Sequence, residues 1–251
     1  MLTSTERLGR TRIRVSPGAG GSRCQVRTAT SSSDPTAAVV RPIVVEHGMR
    51  SARIALVPEG ALLLAGDAIE IDVTVDEGAE VDLLEPGGTV AFDMRGDSAR
   101  WDVRIDVRPG ARLHWGGLPF VVAAGADVAR TVRVRCAGDA RLALRECLVL
   151  GRFGEPPGTL RQVTTVVDGS DRPVLAETLP LDARSAPLLL GSHRVLSSVL
   201  SLGGPLAPTA ADEHRYDLDV TGAVLWRRLG AQAHDASLDA LWDLLGPDGQ
   251  G

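Results

Sequence analysis

Between residues 60 and 150 the chain repeats one device, a glycine turn followed by a strand of alternating apolar and polar side chains. Gly66-Asp67 precedes Ile69, Ile71, Val73 and Val75 on one face, with Glu70, Asp72 and Thr74 on the other. Gly78-Ala79 precedes Val81 and Leu83. Trp101, Val103, Ile105 and Val107 alternate up to Pro109-Gly110-Ala111, which opens Leu113 and Trp115. Gly125-Ala126 leads to Val132, Val134 and Cys136, and Gly138-Asp139-Ala140 opens the next strand. A period of two places every second side chain on one sheet face, so the pattern specifies half-buried strands joined by tight turns. The class is mainly β, a β-helix-like or layered β body with a few C-terminal helices. Turn spacing is irregular, so sandwich, barrel and loosely wound β-helix all satisfy the pattern.

The stretch RLALRECLVLGRFGE at 141–155 carries a defect in that pattern. Leu142, Leu144, Leu148 and Leu150 share one face, and Glu146 stands in the middle of their row. A carboxylate in an apolar row costs several kcal/mol, in order of magnitude, unless it is paired, protonated or facing a wet cavity. A half-exposed strand, a buried pair with Arg152, and a polar interior are the competing accounts. A glycine- and proline-broken loop follows and brings Glu155 into the same region.

The rest of the chain is organised around this body. Residues 1–40, rich in Arg, Ser, Thr and Gly, read as a flexible basic tail. Residues 41–205 form the β-rich body, and 206–251 a helical C-terminal segment. Strand-like runs at 161–167 and 174–179 flank Asp168-Gly169-Ser170-Asp171-Arg172-Pro173, a hairpin-like return. Val195, Leu196, Val199 and Leu200 fit helical spacing and, with Pro187-Leu188-Leu189-Leu190 before them, read as an apolar patch that a partner covers. Leu238, Leu241, Trp242 and Leu245 fit a second helix, with Asp235 or Ser237 as cap and Gly246-Pro247 as stop.

Composition excludes several classes. A net charge of -5 argues against nonspecific nucleic-acid binding. No apolar run reaches the length of a membrane span, and the first residues lack a secretory layout, so the expected compartment is the cytoplasm. Cys24, Cys136 and Cys147 form no CxxC pair, which argues against a disulfide framework. All 27 basic residues are arginine, leaving no Schiff-base lysine and no GK[ST] phosphate loop. The five histidines are isolated, with no HExxH spacing, and no GxSxG elbow exists. Aromatic residues at 3% give few ring platforms for a sugar cleft.

Resemblance goes further than these exclusions. The run Glu146-Cys147-Leu148-Val149-Leu150-Gly151-Arg152-Phe153-Gly154-Glu155 resembles the E-x-L-x-L-G-R-x-x-x-G-E signature of the urease accessory protein D family, shortened at the second glycine. Ala65-Gly66-Asp67 resembles its GGD, and Glu77-Gly78-Ala79 and Pro109-Gly110-Ala111 its paired GA turns. Leu113-His114-Trp115 resembles its L-x-W, and Gly191-Ser192-His193-Arg194-Val195-Leu196 a late G-H-x-V/A-L element. Departures occur at Ala65, at Leu83-Leu84-Glu85-Pro86-Gly87-Gly88 in place of a threonine-rich stretch, and at Gly116-Gly117-Leu118-Pro119-Phe120.

The resemblance implies a non-enzymatic urease maturation factor with a β-helix-like body. It implies docking on urease apoprotein together with accessory protein F and the accessory GTPase G, and a polar passage that hands on nickel without holding it. On that reading Asp67, Glu146 and Glu155 line the nickel passage, and Val195, Leu196, Val199 and Leu200 meet a partner. The alternative is a β-helical or β-sandwich carbohydrate-active enzyme using a carboxylate pair, Glu146 with Glu155 or Asp67, as acid and base.

Overall fold

The computed structural model describes residues 6–204, 214–218 and 222–246. The chain lays strands alternately into two facing sheets. In one sheet β4 (Ser51–Glu59), β6 (Glu80–Leu84), β9 (Arg112–Val122) and β11 (Arg141–Leu150) pair in parallel, with the short β7 (Thr89–Ala91) beside β9. In the other, β5 (Asp67–Val75), β8 (Ala99–Val107), β10 (Asp127–Cys136) and β12 (Thr159–Asp168) do the same. Each turn therefore carries the chain across the body, and the result is a β-solenoid-like coil.

The ends are closed differently. β1 (Arg7–Ser16) runs parallel to β5 and antiparallel to β2 (Gln25–Ser32), while β3 (Val39–His47) folds back on β4. At the far end β13 (Pro173–Leu181) returns along β12, which is the expected hairpin. β14 (Val195–Leu202) pairs with β11 and β16 (Ala223–Gly230), and β15 (Arg215–Asp217) edges β16. The helices among the described residues are α1 (Ala186–Leu190) and α2 (Asp239–Leu245). Among the described residues, seven strands form the sheet that holds β5, in the order β13-β12-β10-β8-β5-β1-β2, and nine form the sheet that holds β4.

The glycine-alanine turns do the winding. Gly78 and Gly110 sit at φ 66° and 61°, where a side chain would be strained. The alanines that follow, Ala79 and Ala111, point into the core at 0% and 1% exposure, where only a small side chain fits. Successive turns then stack, Arg112 N–H donating to the Ala79 carbonyl and Arg141 N–H to that of Ala111, both at 2.9 Å. The alternating apolar rows meet between the sheets in one contiguous core.

Three sequence expectations are corrected. Over Arg7–Ser16 and Gln25–Ser32 the expected tail is strand: Thr11, Ile13 and Val15 face inward, and Arg10, Arg12 and Arg14 form the outward face of β1. Arg10 and Arg12 lie in register with Glu70 and Asp72 of β5 and form ion pairs with them. Residues 195–200 are strand, not helix. Leu196 and Leu200 enter the interior while Val195 and Val199 are buried on the opposite face, so the apolar run is continuous and mimics helical spacing. Among the described residues of 206–251, β15 and β16 are strands and only α2 is helical. That helix matches the spacing of Leu241, Trp242 and Leu245. Leu238 is its N-cap, and Ser237 Oγ accepts the Asp239 N–H at 3.1 Å. The residue after Gly246, like much of the 203–214 linker, lies outside the described residues.

Candidate functional site

The leucine row of β11 holds its inward course, with Leu142, Leu144, Leu148 and Leu150 all buried. Glu146 points with them into the space between the sheets. There Arg130 of β10, on the facing sheet, donates through Nη1 to Glu146 and, at 2.6 Å, to Gln162 Oε1 of β12. Gln162 returns Nε2 to Glu146 at 3.3 Å and to Thr164 Oγ1 at 3.3 Å. Glu146 and Arg130 side chains are only 11% and 12% exposed. The guanidinium also stands 5.4 Å above the centroid of Phe120.

This cluster belongs to a longer polar row. Within one sheet Glu146, Ser198 and Arg227 are register partners across β11, β14 and β16. In the other, Arg130 is opposite Gln162, and Thr164 opposite Glu177. Arg227 reaches across to Glu177 as a bidentate ion pair. Carboxylates, guanidiniums and amides thus cross an otherwise apolar interior from sheet to sheet.

Beside Glu146 a small cavity of about 30 Å³, the room of one water, is lined by Glu85, Trp115, Phe120, Arg130 and Glu146. Its wall is a bulge. β9 shifts register between the partners of Arg145 and Cys147, leaving Gly117 and Leu118 opposite Glu146. A Cβ on Gly117 would stand 2.5 Å from the Arg145 carbonyl oxygen, so glycine permits the bulge. Glu85 accepts Trp115 Nε1–H at 3.1 Å and Leu118 N–H at 3.0 Å. Burial pushes the Glu85 carboxyl above its ordinary range, against these two donors and the charge of Arg130.

Glu85 also lines an outer cleft of about 490 Å³ beneath α2, with Asp82, His114, Arg145 and Trp242. His114 is buried on this face, its Nδ1 3.1 Å from Asp82 Oδ1 and its Nε2 without a hydrogen-bond partner among the described residues. Arg53 holds Asp82 from the other side at 3.1 Å.

The sequence-derived passage residues do not converge. Asp67, 2% exposed, takes Arg7 Nη2 at 2.7 Å and the Leu64 N–H at 2.7 Å, and so ties β1 to the turn before β5. Glu155 lies in the loop after β11 and pairs with Arg152 at 2.7 Å, which holds its carboxyl below the usual range. Arg152 therefore serves Glu155, and Glu146 pairs with Arg130 instead. Among the described residues no three His, Cys, Asp or Glu side chains stand close enough to hold a metal. No acid–base pair forms between Glu146 and Glu155 or Asp67, because each carboxylate is committed to a different arginine. The candidate partner residues Val195, Leu196, Val199 and Leu200 are at most 6% exposed. Phe153 and Leu188, at 96% and 87%, are instead the most exposed large apolar side chains among the described residues.

Arg130, Gln162 and Glu85 were missed, although the signal for the first two was present. Val128-x-Arg130-x-Val132-x-Val134 and Leu160-x-Gln162-x-Thr164-x-Val166 carry the same inward polar defect as the leucine row around Glu146. The pairing of those defects depends on inter-sheet register, which the local pattern does not contain.

No helix among the described residues is long and apolar enough to cross a membrane. The model of the UreD urease accessory protein family matches residues 8–247. The chain is 45% identical over 196 residues, 75% of each protein, to urease accessory protein UreD 1 of Streptomyces griseus subsp. griseus. It is 33% identical over 236 residues, 88% of this chain and 72% of the relative, to urease accessory protein UreD of Frankia casuarinae. With urease accessory protein UreD of Streptomyces coelicolor it shares 30% identity over 197 residues, 72% of this chain and 77% of the relative. These are maturation factors rather than enzymes, which removes the carbohydrate-active alternative. With its family model matched nearly end to end, the chain belongs to the UreD family of urease accessory proteins.

Proposed function

We propose that this chain acts in the cytoplasm as a non-enzymatic scaffold for urease maturation, docking on urease apoprotein with accessory protein F and the GTPase G, and that nickel moves through its β body toward the urease active site. The observation that supports the passage is the polar row between the sheets, centred on Glu146, Arg130 and Gln162. Buried ion pairs contribute little net stability, and apolar side chains of similar size usually serve a core as well or better. A core that retains such a row, beside a cavity and beneath an open cleft, suits the transit of a polar cargo.

The test replaces the pair by apolar residues of similar volume, Glu146→Leu with Arg130→Met. The double variant is expected to melt at or above the wild-type temperature and to co-purify with urease apoprotein and accessory proteins F and G. Urease activation at limiting Ni²⁺ should fail, because the row is broken. A stable, assembling double variant that activates normally would sink the passage.

A further inference from the structure

The geometry points to Arg130 as the gate of this passage: a tethered cation that occupies the carboxylate a travelling divalent cation would use and must yield it before the cargo moves. The inference rests on the passage reading above and adds to it the residue that keeps the passage shut.

Four features carry it. Arg130 comes from one sheet and Glu146 from the other, so their ion pair spans the interior and blocks it. The free space beside them, about 30 Å³, holds one water and not a hydrated metal ion. A fixed guanidinium in a poorly screened interior repels any second cation brought to the same carboxylate. Finally, the guanidinium is incompletely satisfied: Nη1 serves both Glu146 and Gln162, while Nε is buried with no hydrogen-bond partner among the described residues.

A second acceptor stands on the same cavity wall. Glu85 lines the space that Arg130 lines and feels its charge, yet its hydrogen bonds go to Trp115 and Leu118 rather than to the guanidinium. Arg130 thus shares the cavity with two carboxyl groups and is hydrogen-bonded to one of them, Glu146. A cation arriving at Glu146 competes with Arg130 for it, and Glu85 offers the displaced guanidinium a partner.

The test uses the full chain assembled with urease apoprotein and accessory proteins F and G, with urease activation read against NiCl₂ concentration. Arg130→Gln removes the charge and keeps a hydrogen-bonding side chain opposite Glu146. Gln162→Leu leaves the ion pair in place and removes one of its two holds on the guanidinium. Thermal melting of both is recorded in parallel. A gate predicts that Arg130→Gln lowers the Ni²⁺ needed for half-maximal activation several-fold, and that Gln162→Leu shifts it less in the same direction. A folded Arg130→Gln variant with an unchanged or higher Ni²⁺ requirement overturns the gate. If that variant does not fold, Gln162→Leu decides alone by the same criterion. The two ideas fail separately. Normal activation by the Glu146→Leu, Arg130→Met double variant defeats the passage itself. A blocked double variant beside an unshifted Arg130→Gln defeats only the gate.

Discussion

The imidazole of His114 on β9 lies against the indole of Trp242 on α2, with ring centroids 3.9 Å apart and planes 24° from parallel. Arg145 of β11 stands 5.1 Å from the same indole and ion-pairs with Asp239 at 2.8 Å. Gly116 allows this approach, since a Cβ there would sit 3.2 Å from the indole ring. A seven-residue helix is too short to hold itself together in water, so these contacts keep α2 folded.

Trp242→Ala should therefore release α2 and uncover Val199, Val224 and Trp226, which pack with it in a satellite core. The expected loss is about 3 kcal/mol. Hydrogen exchange should show residues 239–245 exchanging near the rate of an unfolded peptide while the β body stays protected. Unchanged protection of that helix counts against this account.

Glu146 and Arg130 should behave as a coupled pair in stability as well as in transport. Glu146→Leu alone strands a buried guanidinium and should cost roughly 3–5 kcal/mol, whereas adding Arg130→Met should restore the wild-type stability or better. Urea denaturation of the two single variants and the double variant closes the cycle. Additive losses would mean that the side chains are not coupled.

Glu85 gives a pH signature of definite sign. Its folded-state pKa is raised, so the folded state binds a proton that the unfolded state releases first. Its contribution is fully present below the ordinary carboxylate range and is lost as pH rises through the folded value. Denaturation profiles of wild type and Glu85→Gln should differ in slope over that window, the variant lacking the decline. Parallel profiles refute the assignment.

Removal of residues 1–16 should destabilise the protein rather than trim a tail. The burial of Ile13 and Val15 alone is worth roughly 3–6 kcal/mol, and β5 would lose one of its two parallel neighbours. Soluble expression and melting of the truncated chain check this. A truncated protein with wild-type stability returns those residues to the role of a tail.

Cys136 is pushed up to about 12 by burial, and burial raises Cys147 as well. Native-state alkylation by iodoacetamide at pH 8 should therefore be slow at both, and complete only after denaturation. Rapid modification of Cys136 in the folded protein contradicts its placement.

The β class, the inward leucine row, the Asp168–Pro173 turn and α2 were legible because each depends on residues within a few positions of one another. Residues 7–16 were misread for an equally local reason. Arg10, Arg12 and Arg14 signal solubility until Glu70, Asp72 and Asp76 are brought beside them. Val195 to Leu200 were misread because a strand buried on both faces loses the alternation that identifies strands.

The amino-acid sequence by itself determined that Glu146 must be compensated, since a carboxylate among leucines is tolerated only with a partner or water. Which compensation occurs was decided by tertiary structure alone. The two sheets set β10 against β11, so the answering charge is Arg130, sixteen residues away in sequence, rather than the nearer Arg152. Coulomb and hydrogen-bond energies act through space, and the separation in space of two side chains on facing sheets is fixed by register and winding, which no local pattern of residues encodes.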